Sequence, residues 1–294
     1  MTSTATCEDS NMLKIAIPNK GALAEAAAKL LTEAGYRQRT DPKELVLFDE
    51  RNAVEFYYLR PRDIAVYVGE GTLDLGITGR DMLVDSQANA EELMALGFGR
   101  SKFRFAAPAG NQWTLEDLQG MRIATSYPGL LGSYLDQHGI SARLINLDGA
   151  VESSIRLGVA DAIADVVETG STLRKAGLEL FGDVILASEA ILIKRAGVDT
   201  SDQVSVQHLL QRISGVLVAR DYVLMDYDVP VELLDQASAL TPGLEAPTVS
   251  PLGKEGWVAV RSLVKADVTQ ELMDDLYELG ARGILVTQLQ ACRL

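Results

Sequence analysis

The chain predicts an α/β fold followed by a smaller α+β module, and three observations carry that prediction. Between Leu13 and Leu173, short apolar runs rich in β-branched residues alternate with stretches of helical periodicity, the pattern of parallel strands joined by helical crossovers. Gly, Pro and hydroxyl residues mark the strand-to-helix turns, which is where open parallel sheets bind ligands. From Gly215 the order becomes βαββαβ, that of a ferredoxin-like domain of about 80 residues.

Taken in order, residues 13–17 read as a strand closed by Pro18 and Asn19. Gly21 opens a helix with an apolar stripe of Leu23, Ala27, Leu30, Leu31 and Ala34, and Gly35 ends it. Lys20 therefore sits at a strand-to-helix turn, where it is either a ligand-facing cation or a surface lysine. Residues 54–59 are a second strand, Arg60-Pro-Arg-Asp63 leads into a helix over 64–68, and residues 73–78 are a third strand turning at Gly79-Arg80-Asp81. A second β–α series begins with a strand at 102–107. Thr114-Leu-Glu-Asp117 resembles a capping box with Asp in place of Glu or Gln. Residues 121–125 form a strand entering Ser126-Tyr-Pro-Gly129, a helix covers 130–138, and 142–147 is a strand. Tyr127 can stack on a base or serve as a half-buried structural tyrosine, and His138 before Gly139 reads as a C-terminal cap. Residues 190–194 form a strand and 204–213 a bridging helix. The final module reads as strand 216–225, helix 231–240, strands 247–252 and 257–264, helix 268–279 and strand 283–289.

The stretch from Glu152 to Leu173 organises the chain. Asp161-Ala-Ile-Ala-Asp-Val-Val167, bounded by Gly158 and Gly170, reads as a buried parallel strand. Glu168-Thr-Gly-Ser-Thr172 then turns into a helix N-terminus. Backbone N–H groups and the positive end of the helix dipole converge there, with the hydroxyls of Thr169, Ser171 and Thr172 as further donors. The dipole alone offers about 0.3–1 kcal/mol at an exposed site, so tight phosphate binding needs the donors to converge. Asp165 and Glu168 beside the cradle suit a phosphorylated sugar, as acceptors for ribose hydroxyls or partners of Mg²⁺. By itself the turn also fits an ordinary capped β–α connection.

Composition narrows the partners. Hydrophobic residues make up 47% and charged residues 23%, an ordinary globular balance, and no run approaches the ~20 apolar residues of a membrane span. The net charge of −14 argues against nucleic acid or anionic lipid. Residues 1–125 carry 14 basic and 18 acidic side chains, and residues 126–294 carry 13 and 23, so cations for a polyphosphate must be focused locally. Lys20, Arg60, Arg62, Arg80 and Arg104 are the candidates, each otherwise a solvated surface charge. Residues 1–11 read as a disordered leader without the features of a signal peptide, and Cys7 and Cys292 suggest no disulfide framework, so a cytoplasmic setting is expected.

The motif Glu152, Gly158, Ala160, Ile163, Asp165-Val166, Thr169-Gly170 and Thr172-Leu173 resembles, position for position, the signature of the ATP phosphoribosyltransferase family. Met12-Leu-Lys-Ile-Ala-Ile-Pro-Asn-Lys-Gly21, Leu59-Arg-Pro-Arg-Asp63, Asp74-Leu-Gly-Ile-Thr-Gly-Arg-Asp81 and Arg122-Ile-Ala-Thr-Ser-Tyr-Pro128 are similar to its other blocks, in the family's order, so the resemblance runs from about Met12 to the C-terminus. It implies a bilobal, periplasmic-binding-protein-like core, with residues 12–101 and 186–212 as lobe I and 102–185 as lobe II. Residues 213–294 would be a ferredoxin-like, ACT-like regulatory domain. It implies transfer of the phosphoribosyl group of phosphoribosyl pyrophosphate to ring nitrogen 1 of ATP, the committed step of L-histidine biosynthesis, with Mg²⁺ held mainly by substrate phosphates.

The same resemblance implies the site residues. Lys20, Arg60, Arg80 and Glu152 would be catalytic; Asp165, Glu168, Thr169, Gly170, Ser171 and Thr172 would bind phosphoribosyl pyrophosphate; Lys20, Asp81 and Tyr127 would meet ATP, with Asp81 orienting the cations. Asp228, Leu244, Thr248 and Gly283 would receive L-histidine as feedback inhibitor, and dimers assembling into hexamers are expected. A neutral ring nitrogen attacking a carbon with a good leaving group needs no nucleophilic triad, and the chain's two His and two Cys agree. The competing readings are a non-catalytic bilobal binding or sensor protein and a phosphoribosyltransferase for another base.

Overall fold

The computed structural model describes residues 12–167 and 170–293; the leader, Glu168 and Thr169 lie outside the described residues. The chain divides into two compact units. One comprises the segment ending at Lys29 together with Arg37–Val206, and the other comprises Leu30–Tyr36 and the chain from Gln207. No helix among the described residues is long and apolar enough to cross a membrane.

The first unit contains two mixed sheets. Along the chain come β1 (Leu13–Pro18), α1 (Ala22–Glu33), β2 (Val46–Asp49), β3 (Val54–Leu59), α2 (Pro61–Gly69), β4 (Leu75–Gly79), α3 (Arg80–Ser86) and β5 (Ala90–Ala95). The second sheet follows with β6 (Ser101–Pro108), β7 (Arg122–Thr125), α4 (Pro128–Gln137), β8 (Arg143–Asn146), the single turn α5 (Ser153–Arg156), β9 (Ala162–Val167), α6 (Ser171–Lys175) and β10 (Leu178–Ser188). β11 (Ala190–Arg195) then returns to the first sheet, whose order is β2-β3-β1-β4-β11-β5; the second sheet runs β10-β6-β9-β7-β8. Two sheets, left once and re-entered once by the chain, are the expected bilobal, periplasmic-binding-protein-like architecture.

β1 lies parallel to both β3 and β4, and Ile15, Ala16 and Ile17 are fully buried. Each such Ile contributes about 1.5–3 kcal/mol of burial, which explains why a six-residue run holds the centre of the sheet. In the second sheet, Phe103, Phe105, Ala162 and Ala164 pack into one core, while Ala106 and Ile163 pack into another on the opposite face. β9 differs from the all-parallel expectation: it is parallel to β7 and antiparallel to β6. Burial on both faces dictates its apolar run whatever the direction of its neighbours. β10, β2 and β5 escape the sequence reading altogether. β10 is interrupted by a register shift between Phe181 and Leu186, and β5 carries the polar pair Glu91 and Glu92.

The second unit corrects the sequence reading at its start. The expected helix over 204–213 and strand over 216–225 are instead one helix, α7 (Val204–Asp221), followed by β12 (Tyr222–Pro230). Val206, Leu209, Ile213, Val216 and Ala219 are all buried at helical spacing. Gly215 is no breaker: a Cβ there would collide with the carbonyl oxygen of Cys292, so glycine serves a close approach inside the helix. After β12 come α8 (Leu234–Leu240), β13 (Thr248–Pro251), β14 (Trp257–Lys265), α9 (Thr269–Leu279) and β15 (Arg282–Gln288). The antiparallel order β13-β14-β12-β15 is the ferredoxin-like arrangement, with Met225, Tyr227, Val229, Val260 and Leu276 in its core.

Candidate functional site

Strand β9 delivers Asp165 to a pocket of about 440 Å³ in the first unit, which Gly170, Ser171 and Thr172 line from the start of α6. Gly170 is the N-cap of α6 at φ +68°, a left-handed conformation that costs an L-residue strain and glycine none. It opens the first turn of α6, whose early amides have no partner within the helix. Glu152, at the start of α5, and Asp165 supply two carboxylates to the same pocket. Burial pushes the Asp165 carboxyl above its ordinary range, and the charges of Glu152 and Asp81 push the same way; the Val166 amide (2.8 Å) and Arg62 oppose them. Arg104, on β6 directly across from Asp165, lines the pocket too and is its one cation among the described lining residues. The motif's expected members Asp165, Gly170, Ser171, Thr172 and Glu152 are thus together; Glu168 and Thr169 fall outside the described residues.

The first sheet's cations share an edge. Lys20 follows β1, Arg60 follows β3 and Arg80 follows β4, three parallel strands side by side. Proline builds the second of these turns: Pro61 at the first helical position forces Arg60 into extended backbone as the N-cap of α2. Lys20 and Arg60 are exposed. Arg80, expected to face phosphate, is placed otherwise. Its Nε and Nη2 donate to the Glu92 carboxylate at 2.8 and 2.9 Å, Nη2 also reaches Glu189 at 3.4 Å, and Nη1 donates to the Ala187 carbonyl at 3.2 Å. The Glu92 hydrogen bonds hold the Arg80 guanidinium even more firmly protonated than usual and, reciprocally, lower the Glu92 carboxyl.

Tyr127 and Asp81 also depart from expectation. Pro128 starts α4 as Pro61 starts α2, leaving Tyr127 as N-cap, only 7% exposed. Arg62 covers one face of its ring at 4.5 Å and Phe103 packs against it at a steep angle at 5.4 Å, the half-buried structural setting that the sequence also allowed. Burial first, and a hydrogen bond to Asp81 with its charge, push the Tyr127 hydroxyl well above the phenol range. Asp81, buried, accepts from the Ser188 hydroxyl at 2.8 Å and donates its amide to the same oxygen at 3.0 Å. Its hydrogen bonds go to Tyr127 and Ser188. Beside it Asp85 accepts from Arg62 at 3.0 Å and from the amides of Gly129 and Leu130 at 2.9 and 3.1 Å, capping α4 from α3. This belt of Arg62, Asp81, Asp85, Tyr127 and Ser188 ties the two sheets' helices to each other. Asp85 and Ser188 carry no sequence signal, because their partners lie 44 and 107 positions away along the chain.

Comparison with known proteins decides the family. The ATP phosphoribosyltransferase family (HisG) matches residues 60–215, and its C-terminal domain family matches residues 219–291. The chain belongs to the ATP phosphoribosyltransferase family. It is 62% identical over 284 residues to the ATP phosphoribosyltransferase of Pseudarthrobacter chlorophenolicus, covering 96% of this chain and all of that one. The Streptomyces coelicolor protein of that name is 58% identical over 285 residues, with the same coverage. Among solved structures, the ATP phosphoribosyl transferase (HisG:HisZ) complex from Thermotoga maritima aligns with a TM-score of 0.60 at 26% identity, over 69% of this chain and 97% of that one. Membership makes the protein a pentosyl-transferring enzyme of the first step of histidine biosynthesis, in the long form with the C-terminal domain.

The family's expected effector positions scatter over the C-terminal sheet. A Cβ on Gly283 would lie 3.4 Å from Asp228 Oδ2, so these two are neighbours across β15 and β12. Thr248 lies on β13, two strands from β12 and hence about 10 Å away, opposite Arg261. Leu244 is 43% exposed in the preceding loop. Arg261 is held by Asp226 at 2.7 Å. Three of the four positions thus lie on one sheet and Leu244 in a loop beside it.

Proposed function

We propose that the pocket at the end of β9 holds phosphoribosyl pyrophosphate for displacement of its pyrophosphate by ring nitrogen 1 of ATP. The observation that carries this reading is the meeting of two carboxylates, Asp165 and Glu152, with the left-handed turn at Gly170 in one pocket. The turn from Glu168 to Thr172 receives the 5′-phosphate on its amides and hydroxyls, and the carboxylates accept from the ribose hydroxyls. Asp165 stands in a half-buried site where its charge is costly, so hydroxyl donors from a sugar relieve it. Lys20 and Arg60, exposed at the edge where β1 and β3 end, meet the polyphosphates. Alignment of two anionic substrates and neutralisation of the leaving pyrophosphate lower the barrier; no protein nucleophile is required.

Asp165 is a hard oxygen donor in the pocket, the ligand chemistry that suits Mg²⁺. When bound, Mg²⁺ would be held mainly by substrate phosphates, with Asp165 and Glu168 meeting a metal-bound water, and would supply charge neutralisation on pyrophosphate. L-Histidine inhibits through Asp228, Leu244, Thr248 and Gly283 in an assembly of dimers and hexamers, in the cytoplasm. Such inhibition requires a difference in affinity between two global states. Incubation with ATP, Mg²⁺ and phosphoribosyl pyrophosphate, followed by the ultraviolet absorbance of the adduct, tests the reading. Product is expected from the wild type and almost none from Asp165→Asn. Full activity in that variant removes Asp165 from the site.

A further inference from the structure

Arg39, half-buried in the connection from α1 to β2, directs its guanidinium at backbone. Nη1 donates to the carbonyls of Pro42 and Glu44 at 2.9 and 2.8 Å, and Nη2 donates to the Asn19 carbonyl at 2.6 Å. The group lies over the Tyr58 ring at 4.0 Å, and the Arg39 amide donates to the Tyr58 hydroxyl at 3.1 Å. Tyr58 is a firm platform: it is 2% exposed on β3, and its own amide donates to the Leu45 carbonyl at 2.9 Å. A planar fork with fixed donor directions can serve three carbonyls at once, whereas an ammonium on a flexible stem cannot. The Asn19 contact is the one that reaches the sheet's cationic edge. Asn19 follows β1 and precedes Lys20, and its amide donates to the Leu59 carbonyl at the end of β3, 2.8 Å away. On the other side of Lys20, Gly21 adopts φ +81° and its carbonyl accepts from the Ala24 amide at 3.0 Å in the first turn of α1. The backbone at Lys20 is thus held by α1 downstream and by Asn19 upstream, and Arg39 grips the Asn19 carbonyl. Twenty positions of chain separate the two, so no local pattern announces the contact.

We infer that Arg39 is a positioning residue for Lys20: it fastens the turn from which that lysine reaches the polyphosphates, and it acts on turnover only through Lys20. The inference rests on the placement of Lys20 against the polyphosphates proposed above. A lysine carries its charge on a long flexible stem, and a turn left loose at its base adds freedom that must be lost again at the transition state. The fork of Arg39, and not its charge, is what does this, because its Nη donors already meet carbonyls. Arg39→Lys therefore keeps the charge and loses most of the effect.

The test is a double-mutant cycle in kcat on the full chain, with Arg39→Gln and Lys20→Ala made singly and together and the melting temperature taken on each. Arg39→Gln is expected to lower kcat about three- to tenfold in the wild-type background and less than about twofold in the Lys20→Ala background. Melting temperature should fall by the same amount in both, since the loop's backbone contacts do not depend on the lysine. Arg39→Lys should recover less than half of the lost turnover. Wild-type kcat in Arg39→Gln, or a loss of about threefold or more that persists in the Lys20→Ala background, overturns the assignment. Full recovery by Arg39→Lys overturns it too, because charge would then be the agent. Should Arg39→Gln fail to fold, Arg39→Lys goes through the same cycle: its loss of turnover must vanish in the Lys20→Ala background, and an undiminished loss overturns the assignment equally. If Lys20→Ala itself turns over like the wild type, the placement of Lys20 fails together with this inference. If Lys20→Ala is slow and the two losses multiply, only the role of Arg39 fails.

Discussion

The ends of the two sheets in the first unit treat charge in opposite ways. At the end of β4, Arg80 is matched by Glu92 and Glu189 and by a backbone carbonyl, and Arg62 by Asp85. At the end of β9, Asp165 sits half-buried with its carboxyl pushed up, Glu152 adds like charge, and Arg104 Nε is buried without an acceptor among the described residues. The first arrangement holds the fold together. The second is destabilising as it stands and makes physical sense when a ligand completes it. Charged motif residues therefore differ in how far the protein itself satisfies them, and Arg80, which belongs to a family-like block, is already paired within the fold.

Asp165→Asn probes the contrast most severely. Activity is expected to fall about 100-fold or more, the scale of a misplaced reacting group, while thermal stability at neutral pH rises. The sign follows from linkage: the folded carboxyl titrates above its unfolded value, so ionised Asp165 subtracts stability at neutral pH, and the advantage of Asn shrinks as pH falls through the raised pKa. Glu92 should behave oppositely. Its carboxyl is lowered by Arg80, so its contribution is present above the ordinary Glu range and lost as pH falls through the lowered value. Melting curves of the wild type, Asp165→Asn and Glu92→Gln from about pH 7 to about pH 2 check both signs; parallel curves erase the distinction.

Arg80→Gln ranks next, with an expected loss of about 1–3 kcal/mol in urea unfolding, since two partly buried carboxylates lose their partner. KM values should hold. A variant of unchanged stability and weakened substrate binding would return Arg80 to the catalytic group. Lys20→Ala is expected to lower turnover about tenfold, the size of one charge-assisted contact, with no change in melting temperature; wild-type kinetics would make Lys20 a bystander. The smallest effect belongs to Thr172→Val, which removes one neutral donor from the cradle and should weaken phosphoribosyl pyrophosphate about three- to tenfold in a titration. Unaltered affinity takes Thr172 out of the cradle.

Much of this was legible in the linear chain. The β–α alternation located β1, β3, β4, β6, β7 and β9, because a strand buried on both faces leaves a short run of Ile, Val, Leu, Ala or Phe that few other environments tolerate. The strand-to-helix turn at Gly170 was legible from glycine beside hydroxyl residues, and its left-handed backbone came only with the structure. The end of α7 was misread because a glycine inside a helix and a glycine after one look alike until the Cys292 carbonyl is seen against it. β5 was missed because charged residues suit a strand at the edge of a sheet.

Local propensity thus determined the buried strands and the pocket's own wall, and motif resemblance gave the family, since each depends on residues a few positions apart. Which charges are neutralised was decided only in three dimensions. Arg80 finds Glu189, Asp81 finds Ser188 and Asp85 finds Gly129 across long stretches of chain. An ionic partner is chosen by distance and burial, and the sequence records neither.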